Sequence, residues 1–224
     1  MCGRFAQIEP LSNIIKTFLV EEVFSELKPS YNIAPGSRIL SVIKKDGKRL
    51  LIDLEWGLIP HWAKEASVGR TLINARAESV FQKPSFRNAV KSRRCLIVAS
   101  GFYEWKKEGR IKTPYYITHS SGVSISFAGL YEIWISKENI EHRTCAIITT
   151  EPNGIMKEIH NRMPVILTRD GEDAWLDTSI QPDRAQSLLA PYPNDDLLIY
   201  PVSALVNSPK NDSPECIIPR TSSE

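Results

Sequence analysis

Ile39–Trp56 reads ILSVIKKDGKRLLIDLEW. Two apolar runs, Ile39–Ile43 and Leu50–Trp56, flank the pair Asp46-Gly47. A two-residue hairpin turn needs a positive φ at its central positions, which Asp-Gly supplies. The stretch therefore predicts two antiparallel strands. Further along, Cys95–Val98, Tyr115–Thr118, Ser124–Leu130 and Thr144–Thr150 are short apolar runs, read as strands. Turn-rich stretches such as Lys107–Lys112 and His119–Gly122 separate them, and Leu197–Val202 reads as a late strand. On the other side of the hairpin, Ser30–Ser37 reads as an irregular loop with an Ala-Pro-Gly turn. Leu11–Val20 carries Leu11, Ile14, Ile15, Phe18 and Leu19 at helical spacing. Short helices are expected at Phe81–Val90 (from near Pro84), Asn153–His160, Glu172–Leu176 and Pro182–Leu189. Fifteen scattered prolines disfavour long ones. The pattern is that of an α+β domain: a curved antiparallel sheet or barrel-like β core with flanking short helices.

The 224 residues show no repeat, low-complexity tract or Gly/Ser linker, and domain boundaries are not visible. With 42% hydrophobic and 24% charged residues, the chain has the composition of a soluble globular protein that buries a large core without staples. No run approaches eighteen apolar residues, so no membrane partner is expected. The first twenty residues mix Arg4, Glu9 and Lys16 with no long apolar segment, unlike a signal peptide. A reducing cytoplasm is the expected setting. Four cysteines (Cys2, Cys95, Cys145, Cys216) form no CxxC pair, which argues against a zinc knuckle. His61, His119 and His142 lack partners at metal-ligand spacing; neither metal nor cofactor is expected.

Net charge is only +2, but its distribution is uneven. Lys64–Lys112 holds twelve Lys or Arg against four acids, net +8, whereas Asp170–Glu224 is net −7. A polyanion footprint fits that asymmetry, as do two solvated faces.

Five segments carry chemistry. In Met1-Cys2-Gly3-Arg4, removal of Met1 leaves an N-terminal cysteine with amine and thiol on adjacent carbons. Their ordinary pKa values, about 8 and about 8.5, leave both partly deprotonated near neutrality. Such a 1,2-aminothiol condenses with an aldehyde to a Schiff base, and the thiol closes it to a thiazolidine. Gly101-Phe102-Tyr103-Glu104-Trp105 sets a carboxylate among aromatics, which suits a proton shuttle if buried, or marks an exposed strand end if not. His160-Asn161-Arg162-Met163-Pro164 offers an acid/base group and a phosphate ligand, or a structural histidine. Asn74-Ala75-Arg76-Ala77-Glu78 offers a bifunctional amide beside a cation, or a helix cap. Trp56 and Trp62 bracket Gly57–His61 as base-stacking platforms if exposed, or as core if buried.

Taken in order, these segments resemble the SRAP family, the SOS-response-associated peptidases or abasic-site-processing proteins. The resemblance is carried by MCGRF at 1–5, YNIAP at 31–35, WGLIPHW at 56–62 and NARAE at 74–78. It continues through RCL at 94–96, GFYEW at 101–105, FAGLYE at 127–132 and HNRMPVIL at 160–167. One departure is Val98, in a stretch where the family pattern leads one to expect proline. The resemblance implies a single SRAP domain over residues 1–224, Met1 removed by the protein itself and the last few residues unordered. It implies binding to single-stranded DNA containing abasic sites and to single-strand/double-strand junctions. It also implies a covalent thiazolidine between Cys2 and the abasic deoxyribose. By the same resemblance Cys2 is the nucleophile, Asn74 and His160 position the sugar, and Glu104 is the acid/base residue. Arg4, Arg76 and Arg162 would contact phosphate. Trp62 and Trp105 are added as stacking or wedge residues, and a monomer is expected. Two other readings stand beside this one: a cysteine peptidase acting on other proteins, and a nucleic-acid-binding domain in which Cys2 is incidental.

Overall fold

A computed structural model describes residues 2–193 and 196–220. Met1, expected to be removed, and residues 221–224, expected to be unordered, lie outside the described residues. The strands are β1 (Phe5–Gln7), β2 (Glu22–Phe24), β3 (Ser30–Ile33), β4 (Arg38–Lys45), β5 (Lys48–Trp56), β6 (Asn74–Arg76) and β7 (Arg94–Ala99). They continue with β8 (Gly101–Glu108), β9 (Ile111–His119), β10 (Ile125–Ile135), β11 (Glu141–Thr150), β12 (Met163–Pro164), β13 (Ile166–Leu167) and β14 (Leu197–Pro201). The α-helices are α1 (Leu11–Thr17), α2 (Ala89–Ser92), α3 (Arg169–Leu176) and α4 (Pro182–Ser187).

The Asp46-Gly47 hairpin forms as expected. Both residues have positive φ, at 52° and 82°, and β4 pairs with β5 from Arg38↔Glu55 to Lys45↔Lys48. This hairpin seeds the larger sheet, ordered β12-β11-β10-β7-β4-β5-β2. A short parallel contact, Thr144↔Glu55 and Cys145↔Trp56, joins β11 back to β5. The five strands β5, β4, β7, β10 and β11 thus close into a barrel-like ring. The smaller sheet runs β14-β9-β8-β1-β3.

Side-chain alternation sorts the ring's apolar residues into two cores. Ile39, Leu54, Ile97, Phe127 and Ile147 pack with Phe5, Phe102 and Ile117 of the smaller sheet. Val42, Leu51, Leu96, Leu130 and Ile148 pack with Ile14 and Phe18 around α1, Trp175 of α3 and Ala185 of α4. Thr168 caps α3, accepting from Gly171 N–H at 3.2 Å, and Trp175 Nε1 donates to Cys95 O and Gly129 O. Among the described residues no helix is long and apolar enough to cross a membrane.

Some local expectations need correction. Phe81–Val90 is not a continuous helix: turns fill 77–88, and only Ala89–Ser92 is helical. Pro84 has no N–H to give, and the turns are held instead by bonds such as Arg87 N to Lys83 O. Asn153–His160 tightens to a 3₁₀ turn at Met156–Glu158, because Asn153 Oδ1 takes the Met156 N–H. Ser30–Ser37 is a strand up to Ile33 and only then a turn. Asn74 caps no helix; it begins strand β6.

Candidate active site and nucleic-acid interface

Two strand registers and a 3₁₀ turn bring the site together. Strand β1 runs antiparallel to β8 with Phe5↔Phe102, and Tyr103 N–H donates to Arg4 O at 3.0 Å. Carried past Phe5, this register brings the Cys2–Gly3 peptide alongside Glu104. Period-two alternation puts Glu104 on the same face as Phe102, which looks into the core that holds Cys2. Strand β6 runs parallel to β11 with Asn74↔Ile147, turning Asn74 towards the same core. Asn74 Nδ2 donates to Cys2 O at 2.8 Å. His160 follows the 3₁₀ turn, whose Met156 is sunk in that core, and its Nε2 lies 3.9 Å from Glu104 Oε2. Cys2, Asn74, Glu104 and His160, four segments apart in sequence, converge. Each was singled out from the sequence.

The electrostatics are those of a dry site. Glu104 is 3% exposed, and burial raises its carboxyl from 4.5 to about 7. It is not the exposed strand end that the sequence also allowed. Burial likewise lowers the His160 imidazole, so it is neutral at pH 7. His160 Nδ1 meets both backbone groups of Arg162, 3.1 Å from its nitrogen and 3.3 Å from its carbonyl oxygen, and Nε2 is the nitrogen facing Glu104. Cys2 is fully buried; burial, with the Glu104 carboxylate adding to it, pushes its thiol far up. The sulfur is therefore a protonated thiol here, not a standing thiolate. Asn74 Oδ1 has no hydrogen-bond partner among the described residues.

Glu104 and His160 open into a groove of about 830 Å³. Its walls carry Trp105, Asn207 and four lysines: Lys106, Lys107, Lys112 and Lys157. The first three lysines belong to the basic tract, but none was singled out from the sequence. Lys157 and Asn207 lie outside that tract, and only the fold brings them to the groove.

The expected DNA-contacting residues differ among themselves. Arg76 is exposed beside Asn74. Arg162 is bound bidentately by Glu78, Nη1 to Oε1 at 2.5 Å and Nη2 to Oε2 at 3.1 Å, and donates to Thr149 O. Arg4 is turned inwards: Nη1 donates to Asn32 Oδ1 and Val206 O, each at 2.7 Å. Its Nε is buried with no partner among the described residues, and its guanidinium lies 6.0 Å from the Trp105 ring centre. Trp105 Nε1 donates to Asn207 Oδ1 at 2.7 Å. The two tryptophans around Gly57–His61 part company: Trp56 is fully buried, with Nε1 on Ile73 O, while Trp62 is 53% exposed. Among the described residues no three His, Cys, Asp or Glu gather as metal ligands.

Chemically, the arrangement offers a carboxyl that gives or takes a proton near neutrality, a neutral imidazole and a buried thiol. The carboxyl and the imidazole line a lysine-bearing groove suited to a phosphate backbone, and the thiol is buried beneath its surface. The family profile described as SOS response associated peptidase (SRAP) matches residues 1–209. The chain is 48% identical over 221 residues to the abasic site processing protein YoaM of Bacillus subtilis, covering 97% of each chain. It is 34% identical to the abasic site processing protein HMCES of Gallus gallus, over 86% of this chain and 66% of that one. A crystal structure of a Bacteroides thetaiotaomicron protein superposes with a TM-score of 0.90 at 28% identity, covering 98% of this chain and all of the other. A phage-related protein from Bordetella bronchiseptica superposes at 0.72 with 30% identity, over 90% and 94% of the two chains.

Proposed function

Because the chain belongs to the SRAP family, we propose that it processes abasic sites, capturing them in single-stranded DNA through Cys2 once Met1 has been removed. Relatives named abasic site processing proteins support the first half of that reading. The observation that carries the second half is the convergence of Asn74, Glu104 and His160 on the Cys2 segment, at the head of a groove lined by lysines.

While Met1 is in the chain the Cys2 nitrogen belongs to a peptide bond, so that form is a precursor. Cleavage of the bond by water releases methionine and frees the amine. Glu104, half-protonated near pH 7, is suited to activating that water. The abasic sugar is mostly a closed hemiacetal; opening it breaks the C1′–O4′ bond, with Glu104 taking the O1′ hydroxyl proton and His160 Nε2–H protonating O4′, after which the Glu104 proton returns to the imidazole. The Cys2 amine adds to C1′ to give a carbinolamine. Glu104 protonates its hydroxyl, which leaves as water, and the Schiff base forms. The thiol then adds across the C=N bond: sulfur joins C1′ and the S–H proton passes through Glu104 to the nitrogen. The closed thiazolidine has lost one water overall. A protonated, buried thiol suits this order of events, because it stays inert until an imine is formed beside it. Ring closure also removes the imine that would otherwise promote β-elimination and strand scission.

Binding through lysines and arginines to phosphates carries no base readout, so affinity falls with salt and shows little sequence preference. A peptidase acting on other proteins fits less well: a thiol held protonated is a poor nucleophile towards a peptide carbonyl, whereas an imine formed beside it is a far better electrophile. The test is intact mass and denaturing gels after incubation with abasic single-stranded DNA. The wild type loses methionine and gains the DNA with loss of one water. Cys2→Ala forms no heat-stable adduct; a stable adduct from Cys2→Ala would refute the scheme.

A further inference from the structure

Asn32 is 3% exposed, and among the described residues its side-chain hydrogen bonds go to two places. Its Nδ2 donates to the carbonyls of Val206, Ser208 and Asn211 at 3.3, 3.0 and 2.6 Å, and its backbone N–H to Asp212 Oδ1 at 3.1 Å. Its Oδ1 accepts from Arg4 Nη1 at 2.7 Å. The Arg4 Nη1 group also reaches Val206 O. The 206–212 segment therefore grips Arg4, two residues from Cys2, through Asn32. Through Asn207 it also holds Trp105, the neighbour of Glu104.

A nucleophile on a terminal residue has a mechanical difficulty. No preceding peptide holds it, and chain ends fray unless tied down. Beyond the Asn74 bond to Cys2 O, the first side chain that anchors this terminus is Arg4. Fixed geometry between reacting groups is worth orders of magnitude in rate.

We propose that Asn32 is a positioning residue, acting through Arg4 to hold the Cys2 terminus against Glu104, with the 206–212 segment as its abutment. The role rests on the crosslinking reading above, but one of its consequences does not. Site-resolved alkylation by iodoacetamide, read by mass spectrometry, compares Cys2 with Cys95 and Cys145, all three fully buried. In Asn32→Ala, Cys2 reacts at least tenfold faster while Cys95 and Cys145 stay protected. Unchanged Cys2 protection overturns the proposal. Should all three thiols react together, the variant has unfolded. Arg4→Met, which leaves every bond from Asn32 to 206–212 in place, then decides: Cys2 alone becomes reactive, or the proposal is wrong.

Crosslinking at saturating abasic single-stranded DNA adds a second arm. Asn32→Ala and Arg4→Ala each slow it about tenfold or more, and the double variant is no slower than Arg4→Ala. Additive losses would mean that Asn32 acts independently of Arg4 and overturn the proposal. A wild type that never crosslinks sinks the functional reading instead, and the labelling pattern still judges the positioning of Cys2.

Discussion

The ring of strands and the site beside it use the same alternation to different ends. In the ring, both faces of β7 are apolar, Cys95, Ile97 and Ala99 on one and Leu96 and Val98 on the other. Polar side chains there are of both kinds: Ser126 Oγ donates to Glu172 and Thr144 Oγ1 accepts from Ile59 N–H, while the buried Ser41 Oγ has no partner among the described residues. On β8 the inward face begins with Phe102 and then presents Glu104. Around it lie a buried carboxyl, an Asn74 oxygen and an Arg4 nitrogen, the last two without partners among the described residues. A buried polar atom left unpaired costs roughly 1–3 kcal/mol. The ring accumulates stability, and the site consumes part of it to hold groups that water would otherwise neutralise.

Substitutions should separate the two regions. The largest stability loss belongs to the ring. Phe127 is fully buried and packs edge-on against Phe5 and Phe102. Phe127→Ala should lose about 3–5 kcal/mol in chemical denaturation, and a loss under 1 kcal/mol would contradict the packing described.

At the site the sign reverses. The folded state keeps a Glu104 proton that the unfolded chain releases, since the pKa rises from 4.5 to about 7. The stabilisation that follows is complete below about pH 4.5 and is lost as pH climbs through about 7. Glu104→Gln should therefore melt higher than wild type at pH 8, by up to a few kcal/mol at about 1.4 kcal/mol per pKa unit. That gap should narrow towards pH 4.5, while crosslinking stays about 10²-fold or more slower across the neutral range. A variant both less stable at pH 8 and fully active would place Glu104 with the ring rather than the site.

A smaller effect concerns Glu78, which occupies the Arg162 guanidinium and is itself held below the usual carboxylate range by it. Glu78→Gln should free Arg162 for phosphate and tighten binding to intact single-stranded DNA severalfold at low salt. The gain should shrink as salt screens it; weaker binding would mean that Glu78 orients Arg162 instead. The smallest stability change is expected at Trp62, exposed beside Pro84 O. Trp62→Ala should change stability by less than about 0.5 kcal/mol, yet reduce the preference for single strands over duplex in a binding competition.

How much of this was written in the sequence varies with distance along the chain. The hairpin at Asp46-Gly47 and the strands at Cys95 and Thr144 were legible, because turn chemistry and apolar runs are local. The four converging residues were legible as a set through the ordered family motifs, not through their individual surroundings. The burial of Glu104 was not, since it depends on which face of β8 the core covers, and that is set by the pairing with β1. The sequence left Asn74 open between a site amide and a helix cap, because its strand is made by pairing with β11, some seventy residues on. Lys157 and Asn207 gave no local sign at all. They meet Lys106 only across the groove.

The parallel closure of β5 onto β11 also sets a timetable. Contacts between distant segments form late, after the chain has paid the entropy of closing the loop between them. Cys2 is made well before the segments that hold it: Asn74 is fixed only once β11 exists, and the Arg4 anchor waits for residues 206–212. At roughly 5–20 residues per second, the nascent terminus spends on the order of 10–40 s without its site. Until then the contacts that fix the Cys2 segment, from Asn74 and from Arg4 through Asn32, are not made.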